Sequence, residues 1–351
     1  MSSSGILEKY KTLLELPAHT KFISLGEGDT PLVSVPKIVQ ELGGGFELFV
    51  KYEGLNPTGS FKDRGMVAAV SEALGAGAKT VICASTGNTA ASAAAYATRA
   101  GMKAIVLIPE GKVARGKLVA SAIYGAKIIQ IKGSFDDALK LVVEISKRYP
   151  IALVNSINPY RLEGQKTGAF EIVDELNKAP DWLCLPVGNA GNISAYSMGF
   201  EQYDELKKTG VPHFLGVQAS GSAPLVLGKV VEKPETIATA IRIGNPARGN
   251  QALEVIQKHG GKIVAVDDSE ILLAQKMLAL EGIWVEPASA AGLAGLIVEI
   301  KNGLDVRGKK VVIICTGNGL KDPDIVEMAQ PILIEPTLQM LEEIIIGDNN
   351  Q

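Results

Sequence analysis

The segment 56–65, with the sequence NPTGSFKDRG, holds a lysine at a position where it could act as a nucleophile. An apolar run at 46–52 precedes the segment and a helical run at 66–74 follows it, which predicts that Lys62 lies at a strand-to-helix junction. The proline and the glycines favour a turn there, and Ser60 can cap the helix. A lysine held in such a segment can lose its proton through desolvation or a neighbouring cation and then form a Schiff base. The alternative is a solvated lysine at a helix start, because the surface is where lysines usually lie.

A turn suited to a carboxylate follows the strand-like run at 80–84 and leads into an alanine-rich helix. The unpaired N–H groups at such a helix start attract anions, and nearby hydroxyl groups add donors. The polar residues of the turn are Ser85, Thr86, Asn88 and Thr89. An ordinary capped helix explains the same residues, because Ser, Thr and Asn are favoured caps.

A glycine-rich turn follows the run at 182–187 and precedes another helix. Its residues are Gly188, Asn189, Ala190, Gly191 and Asn192. Two glycines allow backbone amides to close around a phosphate, with help from the helix dipole. The turn has neither the lysine of a P-loop nor the glycine pattern of a dinucleotide site, which favours a lone phosphate group over a nucleotide. Plain turn geometry is the alternative.

Three further segments place polar groups after strands or at helix starts. The run at 310–315 leads into Thr316, at the edge of a parallel sheet where ligands bind. The segment 155–161 places Arg161 at a helix start, where it could bind a second anion with Asn155 and Ser156. The segment 286–291 opens a further helix with a proline suited to its first turn. Each of these segments could also be a structural helix entry.

Length and composition set the class of protein. The 351 residues allow about two domains, and the 46% hydrophobic content can bury a large core. A net charge of −3 gives no electrostatic reason to expect nucleic acid or an anionic membrane as a partner. We expect neither a signal peptide nor a membrane span, and the scattered histidines predict no metal site. The three cysteines, which lie in apolar runs, indicate reduced, buried thiols in a cytoplasmic protein.

Apolar runs alternate with amphipathic segments along most of the chain, which predicts an α/β fold with parallel, doubly wound sheets. The predicted strands are 47–52, 80–84, 104–108, 127–131, 151–154, 182–187, 213–218, 262–266 and 310–315. A helical run is predicted at 6–16, ended by a proline, and another helix within 331–347, with 348–351 frayed.

Turn-rich breaks divide this α/β chain into two predicted domains. The smaller covers 54–155, and the larger, cofactor-binding domain takes 1–53 and 156–351. We expect the ligand in the cleft between them.

Together, these turns resemble the tryptophan synthase β-like family of pyridoxal-phosphate enzymes. The resemblance covers nearly the whole chain, from the GEGDTPL sequence at 26–32 onward. The segments that carry it are 56–65, 85–89, 158–167 (NPYRLEGQKT), 188–192 and 319–323 (GLKDP). One departure is Asn318, where many relatives have histidine, so no role is assigned to that position.

The resemblance implies that Lys62 is joined covalently to pyridoxal 5'-phosphate and later shuttles protons. Asn88 would hydrogen-bond the ring hydroxyl of the cofactor, and Thr316 its pyridine nitrogen. The cofactor phosphate would bind at Gly188, Asn189, Ala190, Gly191 and Asn192. A neutral hydroxyl cannot hold a pyridinium proton as a carboxylate would, which suits elimination and replacement over transamination.

Within the family, the resemblance is best to lyases that convert O-phospho-L-homoserine and water to L-threonine and phosphate. It implies that the substrate carboxylate binds at Ser85, Thr86, Asn88 and Thr89. The substrate phosphate would bind at Asn155, Ser156, Arg161 and Asn189, with Lys117 a weaker candidate. The family also implies a homodimer.

Two other functions stay open. A threonine or serine dehydratase, or another β-replacement enzyme, would share Lys62 and the phosphate turn but would need no second anion site at 155–161. A catalytically idle, ligand-sensing relative is a different class, and the presence of Lys62 with the full set of turns argues against it.

Overall fold

The computed structural model describes residues 5–110, 115–323 and 331–347. Ten strands are found, and nine of them confirm the predicted strands to within a residue at each end. The strands are β1 Leu32–Ser34, β2 Glu47–Tyr52, β3 Thr80–Ala84, β4 Lys103–Pro109, β5 Lys127–Ile131, β6 Ile151–Leu153, β7 Trp182–Pro186, β8 His213–Ala219, β9 Gly261–Val266 and β10 Lys310–Cys315.

Helices follow most of the strands, as expected for a chain of βα units. They are α1 Gly5–Lys9, α2 Pro36–Glu41, α3 Lys62–Gly75, α4 Asn88–Arg99, α5 Arg115–Ile123, α6 Phe135–Arg148, α7 Tyr160–Leu176, α8 Gly191–Lys207, α9 Pro224–Leu227, α10 Gly249–His259, α11 Asp268–Leu280, α12 Pro287–Lys301 and α13 Leu338–Gly347. The predicted helix within 331–347 is therefore confirmed, whereas 348–351 lie outside the described residues. In the described ranges, no helix is both long and apolar enough to cross a membrane.

The strands form two sheets. The larger has the order β1-β2-β10-β7-β8-β9, and every pair in it is parallel except β1 with β2. The smaller has the order β5-β4-β3-β6 and is parallel throughout. This arrangement confirms the predicted α/β fold with mainly parallel sheets. The four strands of the smaller sheet lie within the range 54–155, while the domain boundaries themselves stay a prediction.

One hydrophobic cluster includes side chains from both sheets, such as Val81 and Val106 of the smaller and Leu183 and Ile314 of the larger. The helices α3, α4, α7 and α8 contribute to the same cluster. On the opposite face of the larger sheet, α12 packs on β7, β8 and β10 beneath α11. The cofactor candidates at strand ends therefore rest on a continuously packed interior.

The predicted helix at 6–16 is wrong over its second half. The α-helix ends at Lys9, and a short 3-10 turn follows at Lys11–Leu13. Tertiary contacts explain the break, because the Tyr10 ring packs on Phe170 and its hydroxyl donates to Asp174 Oδ2 at 3.0 Å. These contacts are made to α7, so the local periodicity could not reveal them.

Candidate functional site

Lys62 is the first residue of α3, and backbone hydrogen bonds join its turn to the loop after β10. The amide of Phe61 donates to the carbonyl oxygen of Thr316 at 2.9 Å, and the amide of Asn318 donates to that of Gly59 at 3.0 Å. Two of the predicted ligand-binding turns therefore lie side by side, although about 250 positions separate them in the chain.

The turn is held from within by the carboxylate of Asp63. It accepts from the amide and the hydroxyl of Thr58, both at 2.6 Å, and from Ser92 Oγ of α4 at 2.6 Å. Burial raises the pKa of Asp63 to about 6, although these hydrogen bonds favour the ionised form. The predicted capping role of Ser60 is wrong, because its buried Oγ has no hydrogen-bond partner in the described part of the chain.

On its other side, Lys62 is anchored by a network of buried ions around Arg64. The guanidinium contacts Glu53 at 2.7 Å and Glu171 at 2.6 Å, and Lys51 contacts Glu171 at 2.7 Å. Two positive and two negative charges thus compensate one another with little exposure to water. Such pairing is what allows charges to remain in a protein interior. The network fixes the first turn of α3 against β2 and α7.

Glycines bring α3 and α7 into close contact. A Cβ atom at Gly164 would lie 1.8 Å from the carbonyl oxygen of Arg64, and one at Gly65 would lie 2.8 Å from that of Arg161. The two helices can approach this closely only without side chains at those positions. The result places Lys62 and Arg161, each in the first turn of its helix, in the same region.

The amine of Lys62 is tuned for nucleophilic chemistry. Its Nζ lies 4.1 Å from the centroid of the Phe61 ring. Burial lowers its pKa to about 7, with the positive charge of Arg161 acting in the same direction and Glu286 opposing it. A substantial fraction of the amine is therefore neutral near pH 7, as a Schiff-base lysine requires.

Arg161 is a buried cation that has no carboxylate partner among the described residues. Its side chain is 1% exposed, it donates to the carbonyl oxygen of Val154 at 3.3 Å, and its Nε has no hydrogen-bond partner in those ranges. Burial lowers the pKa of Arg161, with the nearby Arg248 contributing, yet a guanidinium stays charged at neutral pH. A buried, unpaired charge is costly, so this position is suited to an anionic ligand.

Arg248 links the segment after β6 to the glycine-rich turn after β7. Its side chain donates to the carbonyl oxygens of Ser156 at 3.2 Å and Ile157 at 3.4 Å. Its backbone amide donates to the carbonyl oxygen of Asn189 at 3.3 Å. The predicted substrate-phosphate segment and the predicted cofactor-phosphate turn are therefore held together by one residue that sequence reasoning missed. It lies just before α10 and follows no strand, so the strand-to-helix pattern gave no signal for it.

Asn155 has a different environment from the one expected of a freely available ligand contact. Its amide accepts from the backbone N–H of Ala84 at 3.0 Å and donates to the carbonyl oxygen of the same residue at 2.9 Å. It thereby aligns the end of β6 with the end of β3. The side chain of Lys117 lies outside the described part of the chain.

The turn 188–192 provides a cup at the start of α8. Ala190 has the left-handed φ of 62°, which is uncommon for a residue with a side chain and marks local strain. The side-chain nitrogen and oxygen of Asn192 are both buried without a hydrogen-bond partner among the described residues. A helix start with available amides and an unpartnered buried side chain fits a phosphate group.

The turn 85–89 lies at the start of α4, with Gly87 as its cap. Ser85, Thr86 and Thr89 are partly exposed, whereas Asn88 is buried. The amide nitrogen of Asn88 donates to Glu286 Oε1 at 2.9 Å. The hydroxyls at a helix N-terminus remain suited to a carboxylate.

The loop after β10 is held by the first turn of α12. Thr316 Oγ1 lies 2.9 Å from Ser289 Oγ, which also accepts from the amide of Gly317 at 2.7 Å. Asn318 caps the short turn that follows, because its Oδ1 accepts from the amide of Leu320 at 3.0 Å. Pro287 occupies the first turn of α12, as predicted. Glu286 and Ser289 were not assigned a role from the sequence, since their partners are distant in the chain.

The residues present fit pyridoxal phosphate. A lysine with a lowered pKa, a phosphate cup with an unpartnered asparagine and two polar side chains for the ring are all in place. Within the described ranges, no group of three or more His, Cys, Asp or Glu residues could hold a metal ion.

Comparisons with known proteins agree with this chemistry. The profile of the family described as "Pyridoxal-phosphate dependent enzyme" matches residues 23–317. The chain is 57% identical to a threonine synthase of Synechocystis sp. over 91% of this chain and 84% of that protein. It is 51% identical to a threonine synthase of Methanocaldococcus jannaschii over 96% of this chain and 86% of that protein.

Solved structures show a similar fold at lower identity. Maize serine racemase superposes with a TM-score of 0.72 at 22% identity, covering 98% of this chain and 95% of that chain. A threonine deaminase from Solanum lycopersicum has a TM-score of 0.71 at 21% identity, covering 93% and 84%.

Proposed function

The chain belongs to the family of pyridoxal-phosphate dependent enzymes, and from this membership we propose that it is a threonine synthase. It is a lyase that converts O-phospho-L-homoserine and water to L-threonine and phosphate. Relatives named threonine synthase, at 51–57% identity over at least 91% of this chain, support this function.

The observation that carries the substrate assignment is the buried guanidinium of Arg161. It lies close enough to Lys62 to lower the pKa of that amine, and no described carboxylate compensates it. A phosphate on the substrate side chain would supply the missing negative charge. An enzyme that acts only on unphosphorylated amino acids has no use for a second buried cation here.

The cofactor is held by four parts of the site. Lys62 bonds its aldehyde carbon, Asn88 contacts its ring hydroxyl and Thr316 contacts its ring nitrogen. The phosphate binds at Gly188, Asn189, Ala190, Gly191 and Asn192. When bound, pyridoxal phosphate supplies the electron sink for bond cleavage at the α-carbon of an amino acid.

The substrate is oriented by two anion sites. The hydroxyls of Ser85, Thr86 and Thr89, with Asn88, bind its carboxylate at the start of α4. Arg161 binds its phosphate, together with Ser156, Asn189 and the second N–H of Asn155 Nδ2. Arg248 keeps Ser156 and Asn189 close to each other through its hydrogen bonds to both backbone segments.

Lys62 moves the protons. Its neutral amine, available because its pKa is about 7, takes the proton from Cα of the substrate and assists proton removal at Cβ. Phosphate then leaves from Cγ into the cation site at Arg161, and Cγ is reprotonated. Water adds its hydroxyl group to Cβ and its proton completes L-threonine, with the retained phosphate ion as acid or base.

A product assay tests this function. With O-phospho-L-homoserine and pyridoxal phosphate, we expect equimolar phosphate and threonine, and Lys62→Ala abolishes both together with the absorbance band of the lysine-bound cofactor. Ketoacid release from threonine at a higher kcat/KM than phosphate release would instead identify a dehydratase. An intact absorbance band in the Lys62→Ala variant would remove Lys62 from its role.

The remaining proposals concern the setting of the enzyme. We propose a cytoplasmic homodimer with a small-molecule substrate and with neither nucleic acid nor a membrane as partner. All three cysteines are buried free thiols, which fits a reducing compartment. The apolar side chains of Leu338 and Leu341 in α13 are 71% and 45% exposed, which fits burial in an interface. We also propose that 54–155 forms the smaller domain, and sedimentation with limited proteolysis tests both assignments.

A further inference from the structure

The first turn of α12 contacts both side chains that are proposed to flank the cofactor ring. Glu286 lies 2.9 Å from Asn88 Nδ2, and Ser289 Oγ lies 2.9 Å from Thr316 Oγ1. Glu286 and Ser289 are 2% and 0% exposed. Neither residue is part of the cofactor or substrate contacts assigned above.

The contact with Glu286 determines which end of the Asn88 amide is the donor. An ionised carboxylate can only accept hydrogen bonds, so Asn88 must turn its NH2 group toward Glu286. One N–H of that group is used in the contact at 2.9 Å. The second N–H then remains available for an oxygen of a ligand. Without the carboxylate, the amide could turn over and present its carbonyl oxygen there instead.

The contact with Ser289 determines the direction of the Thr316 hydroxyl. Ser289 has one proton, and its two possible acceptors are Thr316 Oγ1 at 2.9 Å and the carbonyl oxygen of Gly317 at 3.2 Å. The carbonyl of Gly317 already accepts from the amide of Glu286 at 3.1 Å. The shorter contact and the open acceptor both favour donation to Thr316. The proton of Thr316 is then free to point at a ring nitrogen.

A purely structural reading does not explain these side chains. The helix entry needs no help from Glu286, whose side chain makes no capping hydrogen bond and whose successor Pro287 suits the first turn. The carboxylate instead reaches across 198 positions of sequence to Asn88. It also crowds Gly317, because a Cβ atom there would lie 2.4 Å from Glu286 Oε1.

We propose that Glu286 and Ser289 are positioning residues that aim the Asn88 amide and the Thr316 hydroxyl at opposite sides of the pyridine ring. This proposal rests on the proposed function, because it requires the ring to lie between Asn88 and Thr316. One rigid helical turn then determines both hydrogen bonds. A ring nitrogen that accepts from a neutral hydroxyl remains unprotonated.

The test measures cofactor binding in the absence of substrate. Apo forms of the wild type, Ser289→Ala and Glu286→Gln are titrated with pyridoxal phosphate, and the absorbance spectrum of the bound cofactor is recorded. The matched control is Ser71→Ala, which also loses a fully buried hydroxyl, one that accepts from the amide of Ile23 at 3.2 Å in the middle of α3. We expect each test variant to bind about fivefold more weakly, the effect of roughly one hydrogen bond, and to shift the absorbance maximum.

A common loss of stability separates positioning from packing. Ser71→Ala should lower Tm much as Ser289→Ala does, yet leave affinity and spectrum unchanged. In a Thr316→Val background, Ser289→Ala should cause no further loss of affinity, because its effect acts through Thr316. If Ser289→Ala does not fold, Ser289→Cys has nearly the same size and only a weak donor, and it is compared in the same way.

Two results have distinct meanings. Wild-type affinity and spectrum in either Glu286→Gln or the Ser289 variant would overturn the positioning proposal while leaving the proposed function intact. A wild-type chain that shows no band of lysine-bound cofactor would overturn the proposed function itself, and with it this proposal.

Discussion

Gly164 of α7 lies directly against the carbonyl oxygen of Arg64 in α3, where a Cβ atom would come within 1.8 Å of that oxygen. The contact sets the distance between the two helices that carry Lys62 and Arg161. Gly164→Ala should therefore lower the free energy of unfolding by about 1–3 kcal/mol, because the helices must separate. Helix propensity alone predicts stabilisation by up to about 1 kcal/mol, so the sign of the change in a denaturant titration decides. Glu175→Ala, at an exposed position of the same helix, serves as the control and should change little.

The rate of cofactor attachment should depend on pH through the amine of Lys62. Its pKa is lowered to about 7 by burial and by Arg161, and only the neutral amine attacks an aldehyde. Attachment to the apo chain, followed by absorbance, should therefore accelerate as pH rises through about 7 and then level off. Arg161→Gln should move the midpoint upward, since a charge that favours the neutral amine is removed. A rate that keeps rising toward the ordinary lysine pKa of about 10.4 would contradict the environment described for Lys62.

Removing the charge of Arg161 should separate stability from activity. Arg161→Met deletes a buried charge that has no carboxylate partner in the described residues, so Tm should rise in buffers free of phosphate and sulfate. Meanwhile kcat/KM for O-phospho-L-homoserine should fall by about a hundredfold or more, because a bidentate phosphate contact is lost. Affinity for pyridoxal phosphate should change little. An equal loss of substrate and cofactor binding would show that Arg161 is structural.

Inorganic phosphate offers a second reading of the same site. It should raise the Tm of the wild-type holoenzyme by binding only the folded state, and it should fail to do so in Arg161→Met. Comparable stabilisation of both proteins would place the phosphate elsewhere.

Acid should unfold the chain partly through Glu171. Burial acts to raise the pKa of this carboxyl, but Arg64 and then Lys51 outweigh burial and hold the pKa well below its usual range. Its stabilising contribution is therefore complete above the unfolded-state pKa of about 4.3 and is lost progressively as pH falls below that value. Glu171→Gln should cost about 3–5 kcal/mol at neutral pH and flatten the acid limb of the stability curve. Glu175→Gln is the exposed control, and an unchanged acid limb in Glu171→Gln would contradict the assignment.

Several elements were predictable because their signals are local. Nine strands were recognised from apolar runs of strand length, and the turns after β3, β7 and β10 from their glycine, serine and threonine content. The helix at 6–16 was predicted too long because Tyr10 turns toward α7, a contact that no local pattern contains. The strand Leu32–Ser34 was missed because three residues are too few to show a period.

The sequence by itself determined the fold class, the family and the lysine, because periodicity, turn composition and the spacing of polar residues are properties of short segments. Only the tertiary structure decided which distant groups meet. Asn88 reaches Glu286, Arg64 reaches Glu171, and the amide of Arg248 reaches Asn189. Such pairs depend on how sheets and helices pack, since hydrogen bonds and ion pairs act over a few ångströms of space regardless of their separation along the chain.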